Sequence, residues 1–209
     1  LPIFTPTYTN GGTTFTGTPV TFKITINPTA TVNAVSDQVV CNGDPTTTVN
    51  FSSATTGGTI VYNWTNDNTS IGLAAGGTGD IASFISSNAT NGPITANITV
   101  TPSFTDVSAN CTGTPVTFKS TVNPTAKVHP VSDQVVCNGS PTTAVSFTSP
   151  TTGGTIVYNW TNSDASIGLA ASGTGDIDSV TATNITTAPG TATITVTPSF
   201  TNGATCAGT

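Results

Sequence analysis

Apolar and polar residues alternate along short stretches of this chain. In TIVYNW at 59–64, the side chains of Ile60, Tyr62 and Trp64 fall on one face, because successive strand residues point to opposite faces of a sheet. PVTFKITI at 19–26 alternates in the same way. Such periodicity is typical of half-buried strands. It predicts an all-β protein whose strands each present one apolar face.

Long stretches of the chain occur twice. TTGGTIVYNWTN stands at 55–66 and again, unchanged, at 151–162, and the other repeated stretches share an offset of about 96 residues. That period has the size of an immunoglobulin-like β-sandwich domain. Glycine- and proline-rich turns separate the predicted strands. The predicted strands lie at roughly 31–40, 46–52, 59–65, 70–74, 81–87, 94–104 and 115–122. The predicted fold is a tandem of immunoglobulin-like β-sandwich repeats.

The repeat divides the chain into three segments. Residues 1–30 are predicted to be the terminal strands of an incomplete repeat, which we name the leading segment. Residues 31–126, the first unit, form a complete repeat, and residues 127–209, the second unit, form a repeat without its last strand. The same four residues, Asn-Pro-Thr-Ala, precede both units at 27–30 and 123–126. Proline there is expected to stiffen the linker.

The leading segment therefore holds a spare strand, residues 19–26, and the second unit lacks one. An open sandwich edge exposes backbone groups and core side chains that a donated strand would cover. We expect residues 19–26 of one chain to complete residues 127–209 of the next. The inserted face is Val20, Phe22, Ile24 and Ile26. Such a head-to-tail contact does not close on itself and gives a fibre. The alternative is that the 209 residues are a window of a longer continuous chain.

Charge excludes several classes of partner. The chain has three lysines, no arginine, nine aspartates and a net charge of −6. A nucleic-acid interface needs a basic patch to neutralise phosphates, and anionic membrane surfaces attract basic segments. Neither partner is expected. No apolar run approaches the roughly 18 residues of a transmembrane helix, so no membrane span is predicted.

Four cysteines occupy equivalent places in the two units: Cys41 and Cys111 in the first, Cys137 and Cys206 in the second. They allow three pairings, of which repeat equivalence favours Cys41–Cys111 and Cys137–Cys206. Disulfides indicate an oxidising location outside the cytoplasm. The alternative is a metal site, but no CxxC spacing occurs and His129 is the single histidine.

Groups suited to catalysis are scarce, since the chain has one histidine, no glutamate and no arginine. We therefore predict no catalytic residue, no cofactor and no metal. Asp80 is predicted to cap a turn, with a contribution to a calcium site as the alternative. Core aromatic side chains are predicted at Tyr62, Trp64, Tyr158 and Trp160. A sugar-stacking platform is the alternative role for these rings.

Several motifs together resemble a known family. VCNGDPTTTVNF, TIVYNWTN, SIGLAA, GTGDI and TPVTFKITINPTA are similar to the PKD-like immunoglobulin-type repeats of very large Bacteroidetes surface proteins. The resemblance covers essentially the whole chain in the same order. It implies extracellular tandem arrays that serve as stalks, adhesins or filaments, associated with gliding motility and type IX secretion. It implies no catalytic residues.

The expected function is therefore structural: a component of an extracellular bacterial filament or adhesin stalk. Its expected partners are copies of itself or adjacent repeats, together with host or environmental surfaces. The alternative is a carbohydrate- or surface-binding module of a larger secreted adhesin or enzyme. Loops of threonine, glycine and serine in two nearly identical units favour the spacer.

Overall fold

The structure, a computed structural model, describes residues 3–106 and 109–208. Leu1, Pro2 and Thr209, the outer ends of the predicted leading segment and second unit, lie outside the described residues, as do residues 107–108. The described residues form β-strands and two 3₁₀ turns, with no α-helix among them. The prediction of an all-β chain is confirmed, and the layers described below are consistent with a β-sandwich.

The strands are distributed over all three segments. The leading segment contains β1 (Ile3–Phe4), β2 (Thr7–Asn10), β3 (Thr13–Thr16) and β4 (Val20–Thr21). The first unit contains β5 (Gln38–Cys41), β6 (Thr59–Asn66), β7 (Gly76–Thr78), β8 (Ile94–Asp106), β9 (Ala109–Thr112) and β10 (Val116–Asn123). The second unit contains β11 (Thr155–Asn162), β12 (Ser172–Thr174), β13 (Ile194–Asn202) and β14 (Ala204–Ala207). The 3₁₀ turns are Thr69–Ile71 and Ala165–Ile167.

The two units share a pairing pattern. In the first unit the strand order is β5-β10-β8-β6-β7, with β9 also paired to β8. In the second unit it is β12-β11-β13-β14. Trp64 stands opposite Val100 and Trp160 opposite Val196, so the central strand pairs have the same register. The second sheet differs at one edge: among the described residues, no strand takes the places that β10 and β5 have beside β8.

A second layer covers one face of each sheet. In the first unit, isolated bridges join Pro45 to Ile85 and Val49 to Ile81. The predicted strands at 46–52 and 81–87 are thus not continuous strands, and these segments pair only through the two isolated bridges. Between the layers lies the core cluster, whose fully buried members include Ile71, Val100 and Val122.

The prediction of a short strand near 70–74 is wrong. The chain instead makes the 3₁₀ turn Thr69–Ile71, and the next strand is β7 at 76–78. The Asn68 side chain accepts a hydrogen bond from the Ser70 amide, and Gly72 ends the turn at φ 97°. Asparagine as a cap and glycine in the left-handed region are the usual boundaries of such a turn.

Close packing explains the repeated glycines around the tryptophan strand. A Cβ atom built on Gly77 would lie 2.4 Å from the Trp64 ring. A Cβ on Gly58 would lie 2.4 Å from the Phe104 ring. Only glycine lets the neighbouring backbone approach the rings so closely. The second unit repeats both contacts with the same residue types.

Candidate functional site: an open groove and a junction between units

The repeated aromatic strand belongs to the core. Trp64 and Trp160 are buried in the clusters of the two units. Tyr62 packs on Phe51 with ring centroids 5.4 Å apart, and burial is the main reason that the pKa of Tyr62 is raised. These rings do not form an exposed platform for a sugar.

Asp80 and Asp176 accept hydrogen bonds from backbone amides, and His129 contacts a side-chain hydroxyl. Asp80 accepts a hydrogen bond from the Phe51 amide at 2.8 Å, and Asp176 accepts one from the Phe147 amide at 2.8 Å. His129 Nδ1 lies 3.0 Å from the Thr148 hydroxyl. Within the described residues, no cluster of three His, Cys, Asp or Glu side chains suits a metal ion.

In the first unit, β10 fills a groove between β5 and β8. Its inward side chains Phe118 and Val122 are 2% and 0% exposed. Two polar contacts anchor its backbone: the Lys119 amide donates to Asp37 at 2.7 Å, and Asn88 Nδ2 donates to the Val122 carbonyl at 2.8 Å. This strand supplies both the edge hydrogen bonds and part of the apolar core.

In the second unit, no strand of the described residues fills the equivalent groove. Its walls are formed by both layers and enclose about 320 Å³; the lining residues are Val128, His129, Pro130, Val131, Phe147, Ile194 and Val196. The counterpart of Asp37 is Asp133, which has no hydrogen-bond partner among the described residues. The side chain of Asn184, the counterpart of Asn88, donates through Nδ2 only to the Ala188 carbonyl among the described residues. We name this feature the open groove.

The open groove also explains a difference in secondary structure. Residues 134–137 repeat the sequence of β5, yet they do not form a strand. β5 exists through its parallel pairing with β10, in which Cys41 stands opposite Asn123. Without a strand in the groove, Val135 and Val136 are exposed.

Residues 19–26, which we name the donor segment after their predicted role, expose an apolar face. Val20, Phe22, Ile24 and Ile26 are all exposed, Phe22 by 46% and Ile26 by 89%. Phe22 stacks loosely on Phe4 with centroids 6.1 Å apart. Only Val20 and Thr21 form a strand, the short β4. The repeat counterparts of Phe22 and Ile26 are Phe118 and Val122, the buried side chains of β10.

The predicted disulfide pairing is wrong. Cys41 is bonded to Cys206, across 165 residues and between the two units. Cys111 and Cys137 are free thiols in the structure. Disulfide partners have Cα atoms within about 4.4–6.8 Å of each other, and the observed Cα distance is 5.5 Å.

The reason is the position of the cysteines along the sheet. Cys41 stands beside the last residue of β10, close to the Ile94 end of β8, whereas Cys111 stands opposite Phe104 near the other end. Ten residues of strand separate these levels by roughly 33 Å. Cys41 and Cys111 therefore lie at opposite ends of one unit. Each is placed to meet a neighbouring unit and not its own.

The disulfide belongs to a packed junction between the units. Asn123 is fully buried, and its Nδ2 donates to the carbonyls of Asn202 at 2.8 Å and Ala204 at 3.2 Å. The turn glycine Gly203, at φ 70°, lies against the side chain of Val39. The junction, defined by Val39, Cys41, Asn123 and residues 202–206, joins the end of one sheet to a hairpin of the next.

The linker docks in the same way before both units. Ala126 is buried under Gly208, where a Cβ would lie 2.4 Å from the Ala126 carbonyl oxygen. Ala30 is buried under Gly113 in the corresponding place. The sequence repeat at 27–30 and 123–126 thus corresponds to a repeated structural contact.

No protein-family model matches the sequence, and comparison with curated proteins finds no match. In the part of the chain that the structure describes, no helix has the length and hydrophobicity needed to cross a membrane.

Proposed function

We propose that this chain is a structural segment of an extracellular bacterial filament or adhesin stalk, built from PKD-like, immunoglobulin-like tandem repeats joined head to tail. The observation that carries the proposal is the match between the open groove and the exposed donor segment. In the proposal, residues 19–26 of one copy occupy the groove of the next copy as β10 occupies its own.

The register of β10 against β8 gives the expected partner of each donor-segment residue. Phe118 stands opposite Ile98 and Val122 opposite Ile94. The same register places Phe22 opposite Ile194, which lines the groove, and Ile26 opposite Gly190. The larger Ile26 thus meets the smaller Gly190, where the first unit has Val122 against Ile94.

The donor segment is also more apolar than the strand it would replace. Ser120 is buried in the first unit, and its hydroxyl has no hydrogen-bond partner. Its counterpart in the donor segment is Ile24, which would stand opposite Ala192. An isoleucine there avoids an unsatisfied buried hydroxyl, which costs roughly 1–3 kcal/mol.

Hydrophobic burial contributes much of the free energy that association requires. Burying a Val, Ile or Phe side chain contributes about 1.5–3 kcal/mol each, so the four side chains together contribute roughly 6–12 kcal/mol. Main-chain hydrogen bonds to β13 and the vacant contacts of Asp133 and Asn184 add to this. Association costs on the order of 4–15 kcal/mol, which the combined terms offset.

Other observations favour an extracellular structural role. The disulfide between units suits an oxidising compartment. A contact between different surfaces at the two ends of the chain propagates as a linear fibre. The alternative function, a carbohydrate-binding module, draws no support from Trp64 and Trp160, since both rings are buried.

Assembly of the 209-residue chain tests the proposal. Sedimentation velocity and negative-stain electron microscopy are expected to show linear polymers of the wild-type chain. Phe22→Asp places a charge on the inserted face and should abolish them, whereas Thr21→Asp on the opposite face should preserve them. Polymers that persist after deletion of residues 1–26 would show the proposal to be wrong.

The mass of native material separates two forms of the same architecture. Under reducing and denaturing conditions, separate subunits are expected at 20.8 kDa. Repeats joined in a longer polypeptide would give a much larger mass, and the groove would then be filled by the next repeat of the same chain.

A further inference from the structure

We propose that Cys137 of one copy and Cys111 of the next copy form an intermolecular disulfide that repeats the Cys41–Cys206 bond. The inference rests on the head-to-tail assembly proposed above and adds a covalent bond to it. Cys137 is the repeat counterpart of Cys41, and Cys111 is the counterpart of Cys206. They are the two cysteines that are free in the structure.

The two free cysteines occupy the same sheet positions as the bonded ones. Cys111 stands opposite Phe104 in the β8–β9 hairpin, and Cys206 stands opposite Phe200 in the β13–β14 hairpin. Cys137 follows residues 134–136 as Cys41 follows 38–40. Cys41 of the first unit and Cys206 of the second unit face each other. By repeat equivalence, Cys111 and Cys137 lie at the opposite ends of their units, so they face away from each other within one chain. The bond can therefore form only with a neighbouring copy.

The two free cysteines are also more exposed to solvent than Cys206. Cys206 is 2% exposed, because the first unit covers it at the junction. Cys111 is half-buried and Cys137 is exposed. Each free cysteine therefore lies on a surface that is covered at the junction seen between the two units.

The linker sets the correct distance between the strand and the cysteine. In the structure, β10 is followed by the residues Pro124-Thr125-Ala126 and then by the unit that carries Cys206. The donor segment is followed by the identical residues Pro28-Thr29-Ala30 and then by the unit that carries Cys111. Seating the donor segment in the groove therefore brings Cys111 to Cys137 by the same path that brings Cys206 to Cys41.

A further pair of contacts orients the incoming linker. In the first unit, the Asn42 amide donates to the Asn123 carbonyl at 2.9 Å, and Asn42 Nδ2 donates to the Thr125 hydroxyl at 2.9 Å. Asn138 is the counterpart of Asn42 and directly follows Cys137. It is already held by the Asn184 amide, which donates to its side-chain oxygen at 2.9 Å. Its remaining groups match Asn27 and Thr29 of the next copy.

Bond formation requires an oxidant, which we identify by class as a disulfide-bearing thiol oxidant. The thiolate of Cys137 attacks the oxidant's disulfide and releases one of its sulfurs as a thiol. The thiolate of Cys111 then displaces the second sulfur from the mixed disulfide. Two cysteine thiols are oxidised to one disulfide, and the oxidant takes up the two electrons and two protons as two thiols.

Complementary single variants test the bond in the full-length chain. Cys111→Ser retains only the Cys137 thiol, and Cys137→Ser retains only the Cys111 thiol. Each is incubated alone and in an equal mixture, with reduced and oxidised glutathione as the redox buffer. The mixture is expected to give a reducible covalent dimer at twice 20.8 kDa, at least tenfold more abundant than in either variant alone. The wild-type chain is expected to give a ladder of multiples.

Peptide mapping identifies the bond, because cleavage before aspartate separates all four cysteines. The cysteine-containing peptides are 37–43, 106–132, 133–163 and 178–209. A crosslink between 106–132 and 133–163, with ¹⁵N label in one variant only, is the expected product. The intact crosslink between 37–43 and 178–209 shows that each variant is folded.

The outcomes separate this inference from the proposed function. Non-covalent polymers of the Cys111→Ser, Cys137→Ser double variant, without the crosslink in the mixture, would overturn the disulfide and leave the filament standing. Equal dimer yields from each variant alone would also overturn it, because they indicate random collision of exposed thiols. A crosslink that Phe22→Asp abolishes supports both. Absence of any assembly would contradict both.

Discussion

Opening the Cys41–Cys206 disulfide is expected to increase the maximum extension of the chain under force to about five times its value with the bond intact. The bond encloses a loop of 165 of the 209 residues. A fully extended chain spans about 3.3–3.6 Å per residue, so the enclosed loop would lengthen the chain by roughly 550–590 Å. With the bond intact, only about one fifth of the residues can extend, which gives roughly 150 Å.

Single-molecule force spectroscopy measures this difference directly. The chain is held by tags at its two ends, in a Cys111→Ser, Cys137→Ser background that leaves one disulfide. The contour length is compared before and after addition of reductant, with Cys41→Ala, Cys206→Ala as a matched control that should resemble the reduced chain throughout. An equal contour length with and without reductant would refute the assignment of the bond. In the chain-entropy model the same bond stabilises the fold by about 5 kcal/mol.

Three further perturbations test individual contacts. Gly77→Ala forces a Cβ against the Trp64 ring and should destabilise the chain by about 1–3 kcal/mol in urea denaturation; an unchanged midpoint would contradict this packing. Hydrogen bonds from the Asn97 side chain and backbone lower the pKa of Asp67. The stability that this shift contributes is present above the ordinary pKa of an aspartate and is lost as the pH falls through the lowered pKa of Asp67. Because Asn97→Thr removes the side-chain hydrogen bond, it should raise the pKa of Asp67 in a carboxyl NMR titration. Asn123→Ala removes three side-chain hydrogen bonds at the junction and should cost about 1–3 kcal/mol in the same denaturation assay.

Local periodicity was sufficient to predict much of the sheet. Alternation with period two located β6, β8 and β10 to within a few residues of their ends, because an apolar face is what strand pairing buries. It failed at 70–74, where SIGLA alternates but Asn68 and Gly72 supply the caps of a turn. Both cap residues are present in the sequence, and their hydrogen bonds favour the turn over a strand.

The sequence repeat alone does not determine the disulfide pairing. Equivalent cysteines in two repeats are compatible with bonds inside each unit and with bonds between units. The choice depends on which end of the sheet each cysteine occupies, and that is set by the registers of β5 with β10 and of β8 with β9. A sequence pattern indicates which residues form a strand, but it does not give the register in which two strands pair.

The candidate site was foreseen in part. The alternation at 19–26 indicated a spare strand, and the repeat indicated an incomplete second unit. The sequence did not reveal that Asp133 and Asn184 would be held without the strand contacts of their counterparts, since those contacts depend on the fold of both layers. Nor did it reveal that Ile24 replaces a buried hydroxyl without a partner.

Binding of the donor segment to the open groove is the central claim, and amide hydrogen exchange tests it most directly. The full-length Phe22→Asp chain is mixed with a synthetic peptide of residues 19–27, and exchange is followed at residues 190–196 beside the open edge of β13. The account predicts at least tenfold slower exchange there with this peptide and no change with a scrambled peptide of the same composition. Equal exchange rates with and without the peptide would contradict it.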